Sequence, residues 1–131
     1  MSTLDTLLHR NSHPRLTDPG PDADQLQTIL QSALRAPDHG RLRPWRFVVI
    51  TGDRRAVLGE CFQYSLMLKG ITDAAQLTKA ENAPLRAPLV LAGLLHAVDH
   101  EKISRDEQAH AVAASLHAAQ LAADALGFGC V

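Results

Sequence analysis

The chain has 131 residues, 46% of them apolar and 21% charged, with a formal net charge of −1 at pH 7. That length supports one hydrophobic core and leaves no room for a second. Near-neutrality removes any general attraction to nucleic acid or to an anionic membrane, so a site for an anion has to be built locally.

From the N-terminus, Met1 to Asp5 lack a basic stretch followed by an apolar run, so no signal peptide is expected. A short helix is expected to begin after Ser2 or Thr3 and to present Leu4, Leu7 and Leu8 on one face, with Pro14 barring its continuation. Pro19, Gly20 and Pro21 form a turn-rich connector. A stronger helix follows. Asp22 can cap it, Gln25 stands in capping-box position, and Leu26, Ile29, Leu30 and Ala33 build its apolar face. Pro37 predicts an end at Ala36, since the residue before a proline is pushed out of the α region. Arg35 and His39 then lie at or just past a helix C-terminus.

Trp45 to Ile50 reads as a strand, with Trp45 and Phe47 assigned to the core. Helices are expected over about Arg54 to Lys69 and Asp73 to Asn82, then a polar link between Pro84 and Pro88. The unbroken apolar run Leu89 to Leu95 suggests a strand buried on both faces, and it is far too short to span a bilayer. Ser104 and Glu107 predict a capping box opening a helix to about Leu126, with Gly127 just beyond its end. Val112, Leu116, Ala119, Ala123 and Leu126 form a seam able to pack within a monomer or between subunits. Two strands make a poor independent sheet. Cys130-Val131 looks like the first step of another, so the chain is expected to be a fragment or to depend on a partner.

Cys61 and Cys130 are far apart and form no C-x-x-C unit, which fits a reducing cytoplasm. The seven histidines raise the question of a metal. Neither His110 with His117 nor His96 with His100 has an H-E-x-x-H or C-x-x-C type of signature, and no metal site is expected. A G-x-S-x-G elbow, a Walker loop and a G-x-G-x-x-G turn are all missing from the sequence. What remains is a pair of polar segments. Arg10, Asn11 and Ser12 offer a guanidinium fork, a hydroxyl and backbone donors suited to a phosphate dianion. Arg35 and His39 offer a second cationic group. Taken singly, each has an ordinary reading as a solvated cation near a helix end.

Taken in order, these segments resemble the nitroreductase family, specifically its small bacterial branch. The matching stretches are Leu7-Leu8-His9-Arg10-Asn11-Ser12 with Arg15, then Leu34-Arg35-Ala36-Pro37-Asp38-His39, then Pro44-Trp45-Arg46-Phe47-Val48-Val49. Ala83-Pro84-Leu85-Arg86-Ala87-Pro88-Leu89-Val90 and Gln120-Leu121-Ala122-Ala123 with Gly127-Phe128-Gly129 complete the set. The resemblance implies an α+β fold over residues 1–131, with a central sheet flanked by helices and an intertwined homodimer holding FMN at its interface. It implies that Arg10, Asn11 and Ser12 hold FMN from one chain and that Arg35 and His39 reach it from the other. NAD(P)H would dock near Ala122, Ala123, Asp124, Ala125, Leu126 and Gly127.

The implied activity is hydride transfer from NAD(P)H through the flavin to a nitroaromatic, quinone or related small acceptor, in the cytoplasm, with no side-chain nucleophile or general base assigned. Two departures accompany it. Asn11 stands where the family often has a second Arg, and the family's later Trp and Arg-Ser pair, its next strand and its tail are missing after Cys130-Val131. The competing reading is a non-catalytic flavin-binding or assembly module.

Overall fold

The computed structural model describes residues 2–131. In chain order it contains α1 (Thr3–His9), α2 (Ala23–Ala33), a 3-10 turn (His39–Arg41), β1 (Trp45–Thr51), α3 (Arg54–Leu68), α4 (Ala74–Asn82), a second 3-10 turn (Ala83–Arg86), β2 (Leu89–Leu95) and α5 (Arg105–Ala125). The fold is α+β. β1 and β2 form a two-stranded antiparallel sheet, and the His96 N–H donates to the Pro44 carbonyl at 2.7 Å at its end. The chain divides into two compact units. One comprises the stretches up to Pro14, Pro21–Val48 and Ala92–Val131; the other comprises Arg15–Gly20 and Val49–Leu91.

In the first unit the helix starts follow local chemistry. The Ser2 hydroxyl accepts the Asp5 N–H at 3.2 Å, and the Asp5 carboxylate accepts the Ser2 N–H at 2.9 Å, closing a capping box on α1. The bond from the Ser2 backbone, then that from its hydroxyl, holds the Asp5 carboxyl below the usual carboxylate range. Asp22 and Gln25 close the same box on α2 at 2.8 and 2.9 Å. α2 ends at Ala33, earlier than the Ala36 expected from Pro37. Arg35 N–H bonds to Ser32 O and Ala36 N–H to Ala33 O, so the last residues before the proline form tight turns rather than α-helix.

The core of this unit is Trp45 against Ala111 and Val112, with Ala36, Phe47, Leu95 and Leu116 around them. α5 therefore covers the face of the sheet that carries Trp45, Phe47 and Leu95. Gly93 lets it approach, since a Cβ there would lie 2.8 Å from the Leu116 side chain. Alternation sends Leu94 the other way, where it is 49% exposed. The expected burial of Leu89 to Leu95 on both faces is thus corrected: the other residues of the run are half-buried, and in a two-stranded sheet each strand is also an edge.

Along α5 the seam holds at Val112, Ala119 and Ala123, which are buried together with Ala111 and Ser115. Leu116 is half-buried, while Leu126 is exposed because the helix ends one residue before it. α2 and α1 pack against α5. At the C-terminus of α5 the Gly127 N–H bonds to Asp124 O and the Phe128 N–H to Ala123 O, both at 2.9 Å. This Schellman arrangement needs a left-handed residue, and Gly127 supplies it at φ 88. Just beyond, Cys130 pairs with Ser12 in a parallel bridge.

In the second unit α3 packs against α4 and the turn that follows it. Gln63 Nε2 donates to Glu81 at 3.0 Å, and the Arg55 guanidinium donates to the Ala87 carbonyl. The link expected to be polar is a 3-10 turn with Pro84 buried near its start, a position that tolerates the missing N–H.

Candidate functional site

Arg10 closes α1, its N–H bonded to Thr6 O at 3.0 Å. Its guanidinium Nη2 donates to the Ser12 hydroxyl at 3.4 Å. Ser12 is in turn held by the bridge to Cys130, and the adjacent His13 N–H donates to the Cys130 carbonyl at 2.8 Å. The end of α1 is thereby strapped to the segment that leaves α5. Burial pushes the Cys130 thiol pKa up; the Asp124 carboxylate raises it further, and the Arg10 cation opposes both. The Ser12–Cys130 bridge and the His13 bond place the expected phosphate ligands beside the segment that follows the last turn of α5.

The donor chemistry at this end suits a phosphate. Among the described residues Arg10 forms no ion pair, so its charge is not spent on a carboxylate. Ser12 accepts from Arg10 and keeps its own O–H to donate. Asn11 is engaged otherwise: its Nδ2 donates to His9 O at 3.1 Å, capping a free carbonyl at the end of α1, and one amide proton is left over. In the expected dinucleotide segment Ala122 and Asp124 are half-buried, Ala123 is buried, and Ala125, Leu126 and Gly127 are exposed on the terminal turn.

The second cationic group lies elsewhere. Arg35 is exposed, and among the described residues its guanidinium has no protein partner. His39 opens the 3-10 turn, and its Nδ1 lies 2.6 Å from Glu107 Oε1 in the first turn of α5. Gly40 presses this turn onto the start of α5, since a Cβ there would meet Ile103 Cδ1 at 2.6 Å, and its φ of 71 needs glycine. Arg41 and Arg43 also have positive φ, 51 and 49, a conformation uncommon for residues with a Cβ. The Asp38 carboxylate holds the loop by accepting the Arg43 N–H at 2.8 Å.

Glu107 is the residue that sequence reasoning assigned only to the cap. Ser104 does accept the Glu107 N–H, at 3.1 Å, but the reciprocal half of the capping box is missing because the Glu107 carboxylate reaches His39 instead. No spacing rule could have found this, since the partners are 68 residues apart.

Arg10 and His39 thus sit at opposite ends of one helix. Between Glu107 and Asp124 the axis of α5 rises by about 25 Å. The structure brings Arg10, Ser12 and the 122–127 turn together, and keeps His39 apart from them within a chain. Among the described residues, no three or more His, Cys, Asp or Glu side chains are placed to hold a metal ion. No helix among them is long and apolar enough to cross a membrane.

Comparison with known proteins gives these positions a context. The sequence pattern of the "Nitroreductase family" matches residues 7–131. The chain is 39% identical over 129 residues to "Putative NAD(P)H nitroreductase YdjA" of Escherichia coli K12, covering 98% of this chain and 70% of YdjA. A nitroreductase-like family protein from Bacillus cereus superposes with a TM-score of 0.81 at 26% identity, over 100% of this chain and 68% of that one. A nitroreductase with bound FMN from Bacteroides fragilis shares the fold, with a TM-score of 0.75 at 20% identity over 99% of this chain and 68% of that one.

Proposed function

The chain belongs to the nitroreductase family, and from that membership we propose that it is a cytoplasmic FMN-dependent oxidoreductase that works as a homodimer. The observation that carries this reading is the placement of Arg10 with Ser12 at one end of α5 and of His39 at the other. A separation of about 25 Å along the helix prevents one chain from closing both groups on one cofactor, whereas a second copy can bring its own His39 end to the first copy's Arg10 end.

FMN, when bound, supplies two-electron transfer from NAD(P)H to a second small molecule, here a nitroaromatic, a quinone or a related acceptor. The protein's part is to bind and orient. Arg10 gives a charge-assisted fork to the phosphate, and Ser12 gives a hydroxyl preset by its bond to Arg10. Asn11 contributes through its backbone and its one spare amide proton. Arg35 and His39 reach the cofactor from the partner chain, where the unpaired Arg35 guanidinium adds positive charge. Ala122 to Gly127 form the docking edge for NAD(P)H, exposed over Ala125, Leu126 and Gly127 at the end of α5.

The open apolar side of α1 supports the two-chain reading. Leu4, Leu7 and Leu8 are all exposed, Leu8 at 74%, while Thr6 is buried. A helix that turns its leucines outward supplies apolar surface for a partner.

The test is direct. The purified chain is mixed with FMN, gel-filtered, and examined for flavin absorption and for NAD(P)H oxidation with a nitroaromatic acceptor. Retained flavin with turnover supports the proposal. Retained flavin without turnover favours the binding module, and a colourless protein after both steps refutes flavin binding by this chain.

A further inference from the structure

We propose that Glu107 is the positioning residue of His39: its carboxylate holds the Nδ1–H, fixes the ring and leaves Nε2 as the atom that meets the cofactor. The inference rests on the reading of His39 as a flavin contact and adds to it the residue that sets the imidazole.

Four observations carry it. The Nδ1–Oε1 distance of 2.6 Å is that of a direct hydrogen bond, at the short end of the range for a nitrogen donor and a carboxylate. An ionised carboxylate only accepts, so Nδ1 has to be the protonated nitrogen. Glu107 reaches His39 at the expense of the capping-box bond its position offers, leaving Ser104 to cap α5 alone. Both ends of the contact are anchored. The adjacent Gln108 is 2% exposed and bonds to Val98 N–H, Val98 O and Ile103 O. The close approach of Gly40 to Ile103 holds the His39 turn on the same stretch of chain.

The fourth observation is exposure. The side chains are 64% and 44% exposed, and ion pairs in water contribute little to stability. Such a contact, built on a fixed backbone and giving up a cap, is poorly explained as a stabilising device. As an orienting device it is well placed, because a histidine with one nitrogen held presents the other in a defined direction. With the His39 side chain 64% exposed, Nε2 is left open either as an acceptor for a hydroxyl or N–H of the flavin or, when the ring is charged, as a donor to its oxygens.

The test reads the proton and the cofactor separately, on the 131-residue chain and its E107A, E107Q, H39A and H39A/E107A variants. Nitrogen-15 NMR of the flavin-free protein reports which ring nitrogen of His39 carries hydrogen. The expected result is an Nδ1–H ring in the parent and in E107Q, whose amide oxygen still accepts, and a redistribution toward Nε2–H in E107A. In FMN titrations, E107A should weaken binding by about three- to tenfold, close to H39A, with no further loss in the double variant and most of the affinity restored in E107Q.

An unchanged His39 spectrum in E107A overturns the proposal. So does a changed spectrum with parental FMN affinity in E107A when H39A is weakened. If H39A binds FMN like the parent, or the parent binds none, the flavin reading of His39 fails and the inference falls with it. The NMR result would then show the bond to Glu107 standing without a cofactor to serve.

Discussion

Gly59 of α3 lies so close to Glu81, near the end of α4, that a Cβ at position 59 would sit 1.9 Å from the Glu81 carbonyl oxygen. The contact is backbone on backbone, so no side chain can swing away to make room. Gly59→Ala should therefore force α3 and α4 apart at a cost at or above the usual 1–3 kcal/mol of overpacking, about 3 kcal/mol. Urea unfolding followed by circular dichroism checks it; a midpoint equal to the parent's would mean that the helices do not approach this closely.

Gln108 ties the loop before α5 to the helix through both the N–H and the carbonyl of Val98. Gln108→Ala leaves the Val98 N–H and the Val98 and Ile103 carbonyls without their side-chain partner and should cost about 2 kcal/mol. Hydrogen exchange gives the sharper readout. The Val98 amide should lose protection, and preserved protection at Val98 would contradict the clamp.

Replacing Arg10 by Ala should weaken FMN binding by one to two decades, the equivalent of losing a charged hydrogen bond of about 1.5–3 kcal/mol. Stability should be nearly unchanged, because the guanidinium's contact within the protein is a 3.4 Å bond to an exposed serine. Flavin titration with a parallel thermal melt separates the two effects. Equal flavin affinity in the variant would remove Arg10 from the site.

Cys130 carries a raised thiol pKa through burial and through Asp124, against the pull of Arg10. A thiol with a higher pKa folded than unfolded binds its proton more tightly in the native state. Its contribution to stability is therefore intact below the ordinary thiol value of 9.0 and is lost as pH rises through the raised value. At pH 8, iodoacetamide should modify the exposed Cys61 before Cys130. Asp124→Asn should speed the reaction at Cys130 and Arg10→Ala should slow it. Peptide mass spectrometry over time checks the order, and no response to either substitution would separate these groups.

What was legible in the sequence was what neighbours along the chain decide. The caps Asp22 and Ser104 form where their spacing places them, and Ser2 caps α1 at one of the two starts the sequence left open, because a cap bond spans three residues. Gly127 ends α5 for the same kind of reason. α2 ends three residues before Ala36, since Pro37 forbids helix at Ala36 without saying how many residues before it tighten into turns. The segments Arg10–Ser12 and Arg35–His39 could be picked out by donor chemistry, but their relation could not.

The sequence by itself determined the order of helices and strands, the local caps, and membership of the nitroreductase family. Only the tertiary structure decided that α5 covers a single face of the sheet, leaving Leu94 open, that the Glu107 carboxylate leaves its own cap for His39, and that Arg10 and His39 stand at opposite ends of one helix. The physical reason is range. Capping and periodicity act over three or four residues of chain and are written there, whereas a carboxylate chooses between partners 3 and 68 residues away only after packing has set the distances.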